Sequence, residues 1–126
     1  MWFGVPGFEP ENLRQVFLAN LAAVVANYRD AGVIHFVLAG AVRDRKEVGE
    51  LEAAAGMPLR VVRLVVSPEQ VDQRLKTDPT SGRRGDLEVA REWLTGHVGE
   101  GVEDRAVTND GSIAAVATAI LDWLSW

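Results

Sequence analysis

The sequence predicts an α/β domain built as three α/β/α layers around a mainly parallel sheet. Three observations carry this. The apolar runs "VIHFVLAG" (33–40) and "LRVVRLVV" (59–66) and the short "RAVTNDGS" (105–112) read as strands. Each is separated from the next by helical periodicity, so the order is α, β, α, β, α, loop, α, β, α, which calls for parallel strands with helices on both faces. At 126 residues and 48% apolar content, the chain can bury a core as a single domain spanning 1–126.

The elements follow in order. After "MWFGVPGFEPEN", Asn12 with Gln15 three residues on reads as a capping-box-like start, and Leu13, Phe17, Leu21, Val24 and Tyr28 keep helical spacing up to Gly32. Only His35 interrupts the strand at 33–40, where it is expected in the core. A charged helix from Asp44 to Ala55 closes at Gly56, with Glu47, Glu50 and Glu52 as a solvated face. After the second strand, Ser67, Pro68 and Gln70 take the N-cap, N1 and N3 positions of a helix running to about Lys76. Asp86 can cap the next helix, with Leu87, Ala90 and Leu94 on one side, which dissolves in "GHVGEG". The third strand leads through Asn109-Asp110-Gly111 to Ser112, the cap of a last helix carrying Ile113, Val116, Ile120 and Leu124. Trp123 and Trp126 seal that helix, and Trp2, Phe3 and Phe8 are core or contact residues. Three strands are few for such a sheet.

Composition narrows the function. There is no cysteine, which excludes disulfides and thiolate metal sites. No secretory signal pattern and no apolar run of roughly 20 residues appear, so a soluble, cytoplasmic protein is expected. A net charge of −5 argues against nucleic-acid and anionic-membrane partners, so any anion must be held by a local basic cluster. His35 and His97 lack carboxylates at ligand spacing, which leaves no metal site in prospect. Neither G-x-S-x-G nor G-x-G-x-x-G occurs.

The basic cluster is "RLKTDPTSGRRGDLEVAREW" (74–93), with Arg74, Arg83, Arg84 and Arg91 around a Pro-Thr-Ser-Gly kink. Two uses are open. The guanidinium forks can grip phosphate oxygens in pairs. Equally, they can be solvated partners of Asp72, Asp78, Asp86 and Glu88, since exposed ion pairs are common and weak.

From "VVRLVVSPEQVDQRL" through this loop to "VTNDGSIAAVATAIL", the chain resembles the C-terminal half of the P-loop small-molecule kinases, a group of nucleoside monophosphate, gluconate and adenylylsulfate kinase-like proteins and related actinobacterial ATP-binding proteins. Upstream, "NLAAVVANYRDAGVIHFVLAGAVRDR" resembles the family's helix into its third strand. The resemblance implies a P-loop NTPase-like fold, ATP and Mg²⁺ as cofactors, and nucleotide and small-molecule partners. It places Arg74 at the helix end before a lid at about 77–86, Arg83 and Arg84 as lid arginines on phosphate, Asn109, Asp110 and Gly111 beside the base, and Arg43 near substrate.

The chain departs from the family at one essential point. G-x-x-x-x-G-K-[ST], whose backbone, lysine and hydroxyl hold phosphates and Mg²⁺, is absent. "GVPGFE" (4–9) lacks the lysine and hydroxyl, Lys46 and Lys76 are not placed to substitute, and "VIHFVLAG" holds no acidic metal ligand. The expectation is therefore a fold incomplete at its N-terminus, with Met1 an internal methionine of a longer protein and the 126 residues inactive in phosphotransfer by themselves. In the family the missing first strand lies between those matching 33–39 and 59–66. Those two strands must then pair directly, accept an exchanged strand, or join a homo-oligomer through their edges. The alternative is thus a non-catalytic binding or assembly protein that keeps the scaffold.

Overall fold

The computed structural model describes residues 10–77 and 83–126, apart from the side chains of Pro10 and of 83–87. The chain divides into two compact units, one up to Leu59 and one from Arg60. The described residues form a mixed α/β structure of five helices and two strands.

The first unit holds α1 (Pro10–Asp30) and α2 (Arg45–Ala55). Helix α1 starts at Pro10 rather than at Asn12, since proline's missing N–H and fixed φ suit a first helical position. Its buried stripe also differs from the expected one. Leu21 (9% exposed) and Val25 (3%) are buried, whereas Phe17 (52%) and Tyr28 (56%) face out. Helix α1 carries two apolar stripes at helical spacing, and only the one containing Leu21 and Val25 meets α2. Leu21, Val25 and Ala55 form the core cluster, with Phe36, Leu51, Ala54 and Met57 packed against it. Arg14 Nε donates to Glu50 Oε2 at 2.7 Å, tying the two helices at the edge of that core.

Helix α2 is bounded by local chemistry. Asp44 Oδ1 accepts the Glu47 N–H at 2.9 Å, and Glu47 Oε2 accepts the Arg43 N–H at 2.8 Å. At the other end Gly56 turns left-handed at φ 66, so that its N–H and that of Met57 reach the Glu52 carbonyl. The glutamates are not the solvated face predicted for them. Glu47 caps, Glu50 holds Arg14, and Glu52 Oε1 accepts the Leu59 N–H at 2.9 Å.

The stretch 33–39 forms no strand, contrary to expectation: none of its residues joins a ladder among the described residues. Val33 N–H ends the α1 cap on the Tyr28 carbonyl, and Phe36 packs on the core cluster. Ile34 (79%) and Val37 (83%) point to solvent, and His35 is exposed rather than buried. A strand is defined by its neighbour, and the other long apolar stretch, through Val62–Val65, takes its neighbour at Arg105–Thr108.

In the second unit β1 (Val62–Val65) pairs in parallel with β2 (Arg105–Thr108), in the register Val62↔Arg105 to Val65↔Thr108. The crossover between them is α3 (Pro68–Thr77) and α4 (Arg83–Thr95), and α5 (Ile113–Leu124) returns along β2. Among the described residues the sheet thus has two strands, not the expected three, and β1 is four residues long where eight apolar-rich positions were read as a strand. Two caps are as expected: Ser67 Oγ accepts the Gln70 N–H at 3.2 Å, and Ser112 Oγ accepts the Ala115 N–H at 3.2 Å. Arg63 Nη2 donates to Glu103 Oε1 at 2.8 Å, and Asp104 Oδ2 accepts the Val61 N–H at 2.7 Å, so the entrance to the ladder is held by side chains.

Helix α4 ends on His97, whose φ of 52 is the left-handed value, with the Val98 N–H on the Trp93 carbonyl at 3.0 Å. A non-glycine residue there is strained. His97→Gly should stabilise the second unit by about 1 kcal/mol, because the exposed His97–Glu100 contact it removes is weak. Urea unfolding measures this, and an unchanged or lowered midpoint would refute it.

Candidate functional site

Because β1 and β2 are parallel, both end at one edge, Val65 beside Thr108. Ser67 opens α3 after β1, and Asn109-Asp110-Gly111-Ser112 opens α5 after β2. The Asn109 N–H extends the ladder onto the Val65 carbonyl at 2.8 Å. In open α/β sheets this carboxyl edge is where ligands bind, and helix N-termini there present N–H groups to anions.

Arg74, in the last turn of α3, reaches this edge. Its Nη2 donates to the Asn109 carbonyl at 2.7 Å, joining two residues singled out in the sequence and 35 positions apart. Among the described residues Arg74 has no carboxylate partner. A guanidinium has five N–H donors, and the contact to the Asn109 carbonyl is the one hydrogen bond of the Arg74 side chain among the described residues. Asn109 is half-buried, whereas Asp110 and Gly111 are exposed. Gly111 does not adopt positive φ, and a Cβ added there would meet nothing within 4 Å, so the loop is open on that side.

Arg91 does something else. Its Nε and Nη2 hold both oxygens of Asp72, at 3.0 and 2.6 Å, while Lys76 Nζ lies 3.3 Å from Asp72 Oδ2. This clip fastens α3 to α4. The hydrogen bond from Arg91 chiefly holds the Asp72 carboxyl below its usual range, with Lys76 adding to the effect, and the same bond raises Arg91. Of the two uses open for the basic stretch, ion pairing therefore accounts for Arg91.

Arg83 and Arg84 lie on the backbone of the first turn of α4, ahead of Asp86, which is inside that helix rather than capping it. Their side chains, and residues 78–82 of the proposed lid, fall outside the described residues. Thr77, at the near end of that lid, closes α3 with its Oγ1 on the Gln73 carbonyl at 2.8 Å. Arg43 belongs to the first unit, just ahead of the Asp44 cap.

Two features had no sequence signal. Arg60 and Arg105 both stack on Trp123, 5.4 and 5.9 Å from the ring centroid, at the opposite edge of the two strands. A cleft of about 240 Å³ lies between α1 and α2, lined by Glu11, Arg14, Lys46 and Glu47 among others. Among the described residues no three His, Cys, Asp or Glu side chains converge on a metal site. At the carboxyl edge Asp110 is the one carboxylate of the loop, and Asp72 is engaged by Arg91, so these residues do not fit a Mg²⁺ seat. Among the described residues no helix is long and apolar enough to cross a membrane. The chain matches no family model, no curated protein and no solved structure.

Proposed function

We propose that the second unit is the phosphate-facing part of a partial P-loop kinase-like domain, related to ATP-dependent phosphate transfer to a small molecule in the cytoplasm. The observation that carries this is the 2.7 Å bond from Arg74 Nη2 to the Asn109 carbonyl at the carboxyl edge of two parallel strands. It brings a cation to the edge where such folds take ligands. In this proposal Arg74, with Arg83 and Arg84 from the lid, holds phosphate oxygens. Asn109, Asp110 and Gly111 flank the base. The order of these motifs along the chain supports the reading. Without a glycine-lysine phosphate loop and without a Mg²⁺ seat, no transfer step is assigned to these residues, and nucleotide affinity is weak.

Titrating the ¹⁵N-labelled chain with ATP, adenosine and tripolyphosphate tests this. ATP and tripolyphosphate should shift the amides of 109–112 with a dissociation constant of about 1 mM, equivalent to about 4 kcal/mol. Arg74→Ala should weaken both by about tenfold or more, as losing a charge-assisted hydrogen bond does. No shift at about ten times that concentration, or equal affinity in Arg74→Ala, would refute the proposal. A second reading, a non-catalytic binding or assembly protein on the same scaffold, is favoured by one observation, the apolar stretch at 33–39 that joins no ladder among the described residues.

A further inference from the structure

We infer that Arg60, Arg105 and Trp123 form an anion site of their own, which takes a tetrahedral dianion such as the phosphate of a monoester. It stands independently of the nucleotide reading, because it lies at the opposite edge of β1 and β2 from Arg74 and Asn109.

Arg60 comes two residues ahead of Val62, and Val62 faces Arg105 in the parallel register, so the strand period of two sends both arginines to one side of the ladder. Trp123, in the last turn of α5, meets them there, its ring centroid 5.4 Å from the Arg60 Cζ and 5.9 Å from the Arg105 Cζ. The ring attracts each cation, but the two cations repel one another. The acids nearest in sequence are engaged elsewhere or turned away. Glu103 holds Arg63, Asp104 accepts the Val61 N–H, and Asp122 lies about 100° round the helix from Trp123. Among the described residues neither the Arg60 nor the Arg105 side chain makes a hydrogen bond or an ion pair. Both arginines are exposed, so an anion can reach them. In a chain of net charge −5, positive charge is thus gathered on one ring.

Charge and shape select the ligand. Two monocations match one dianion, and a phosphate monoester carries close to two charges at neutral pH. A carboxylate offers two oxygens, which a single guanidinium fork fills. A tetrahedral dianion offers an oxygen pair to one fork and a further oxygen to the other. Stacking on Trp123 holds both forks near their working positions, so less side-chain freedom is lost on binding.

Titrating the ¹⁵N-labelled chain with methyl phosphate at constant ionic strength tests this, read at the Trp123 indole N–H, which is identified by its loss in Trp123→Phe. Half-saturation should come at about 1 mM. Arg60→Gln and Arg105→Gln should each weaken binding by about tenfold with the rest of the amide spectrum unchanged, since both side chains are exposed. Between pH 7.5 and pH 5.5 the affinity should fall by about fourfold, as the monoester loses its second charge near pH 6. Sulfate, a dianion throughout that range, should bind equally at both, and acetate should give no shift. Arg74→Ala should leave the titration unchanged, which separates this site from the one at the other edge. No indole shift at about ten times the expected concentration, equal affinity in the two glutamine variants, an affinity indifferent to pH, a sulfate affinity that falls as well, binding of acetate, or loss of binding in Arg74→Ala would each overturn the inference.

Discussion

Leu21→Ala should destabilise the first unit by about 3 kcal/mol, whereas Phe17→Ala, one turn earlier on the same helix, should cost under about 1 kcal/mol. Leu21 is 9% exposed and joins Val25 and Ala55 at the centre of the only core this unit has among the described residues. Removing its branched end leaves a cavity that Leu51 and Met57 can only partly fill. Phe17 is more than half exposed, so its loss takes away little buried area. A unit of this size is held by only a few kcal/mol, so Leu21→Ala should leave it largely unfolded at 37 °C while the second unit persists. Amide exchange resolved by residue tests this. Equal protection of α1 in both variants would mean that α1 turns its other stripe to the core.

Acid should loosen the second unit before the first. The bond from Arg63 is the main influence holding the Glu103 carboxyl below its ordinary range, as the bond from Arg91 is for Asp72. The unfolded chain titrates these groups near pH 4. Because both native values are lowered, the unfolded state binds protons first. Their contribution is complete above about pH 5 and is lost as pH falls through 4 and on through the lowered native values. Protonation undoes the Arg63–Glu103 contact at the ladder entrance and the Asp72–Arg91 clip between α3 and α4. Urea midpoints measured at pH 7, 5 and 3 should drop steeply between the last two. Asp72→Asn with Glu103→Gln should start lower at pH 7 and fall less. A parallel fall in the double variant would place the acid sensitivity elsewhere.

What was legible in the sequence is what local chemistry decides. Asp44 and Gly56 bound α2, Ser67 and Pro68 open α3, and Ser112 opens α5, because each cap is settled within four or five residues. The stretch 33–40 has every local mark of a strand, yet a ladder needs a second chain segment that no local pattern supplies. On α1 the helical period was visible but not the choice between its two apolar stripes, since that depends on where α2 lies. Glu50 and Glu52 looked solvated because their partners, Arg14 and the Leu59 N–H, are met only on folding, whereas the Glu47 bond to the Arg43 N–H spans four residues and is a local signal that the solvated reading missed. At the candidate site Arg74 and Asn109 were each marked by sequence order, but the bond between them follows from the parallel register of β1 and β2.

The same parallel register sets the tempo of folding. Val61 and Asp104, which meet at the ladder entrance, are 43 residues apart, and no ladder bond can reward the chain until that loop has closed. The Asp72–Arg91 clip spans only 19 residues and lies wholly inside the loop. Were it to dock α3 on α4 first, it would turn a long flexible search into the docking of a preassembled helix pair. Its worth would then be felt in how fast the two strands find each other, even where an exposed ion pair adds little to how long they stay together.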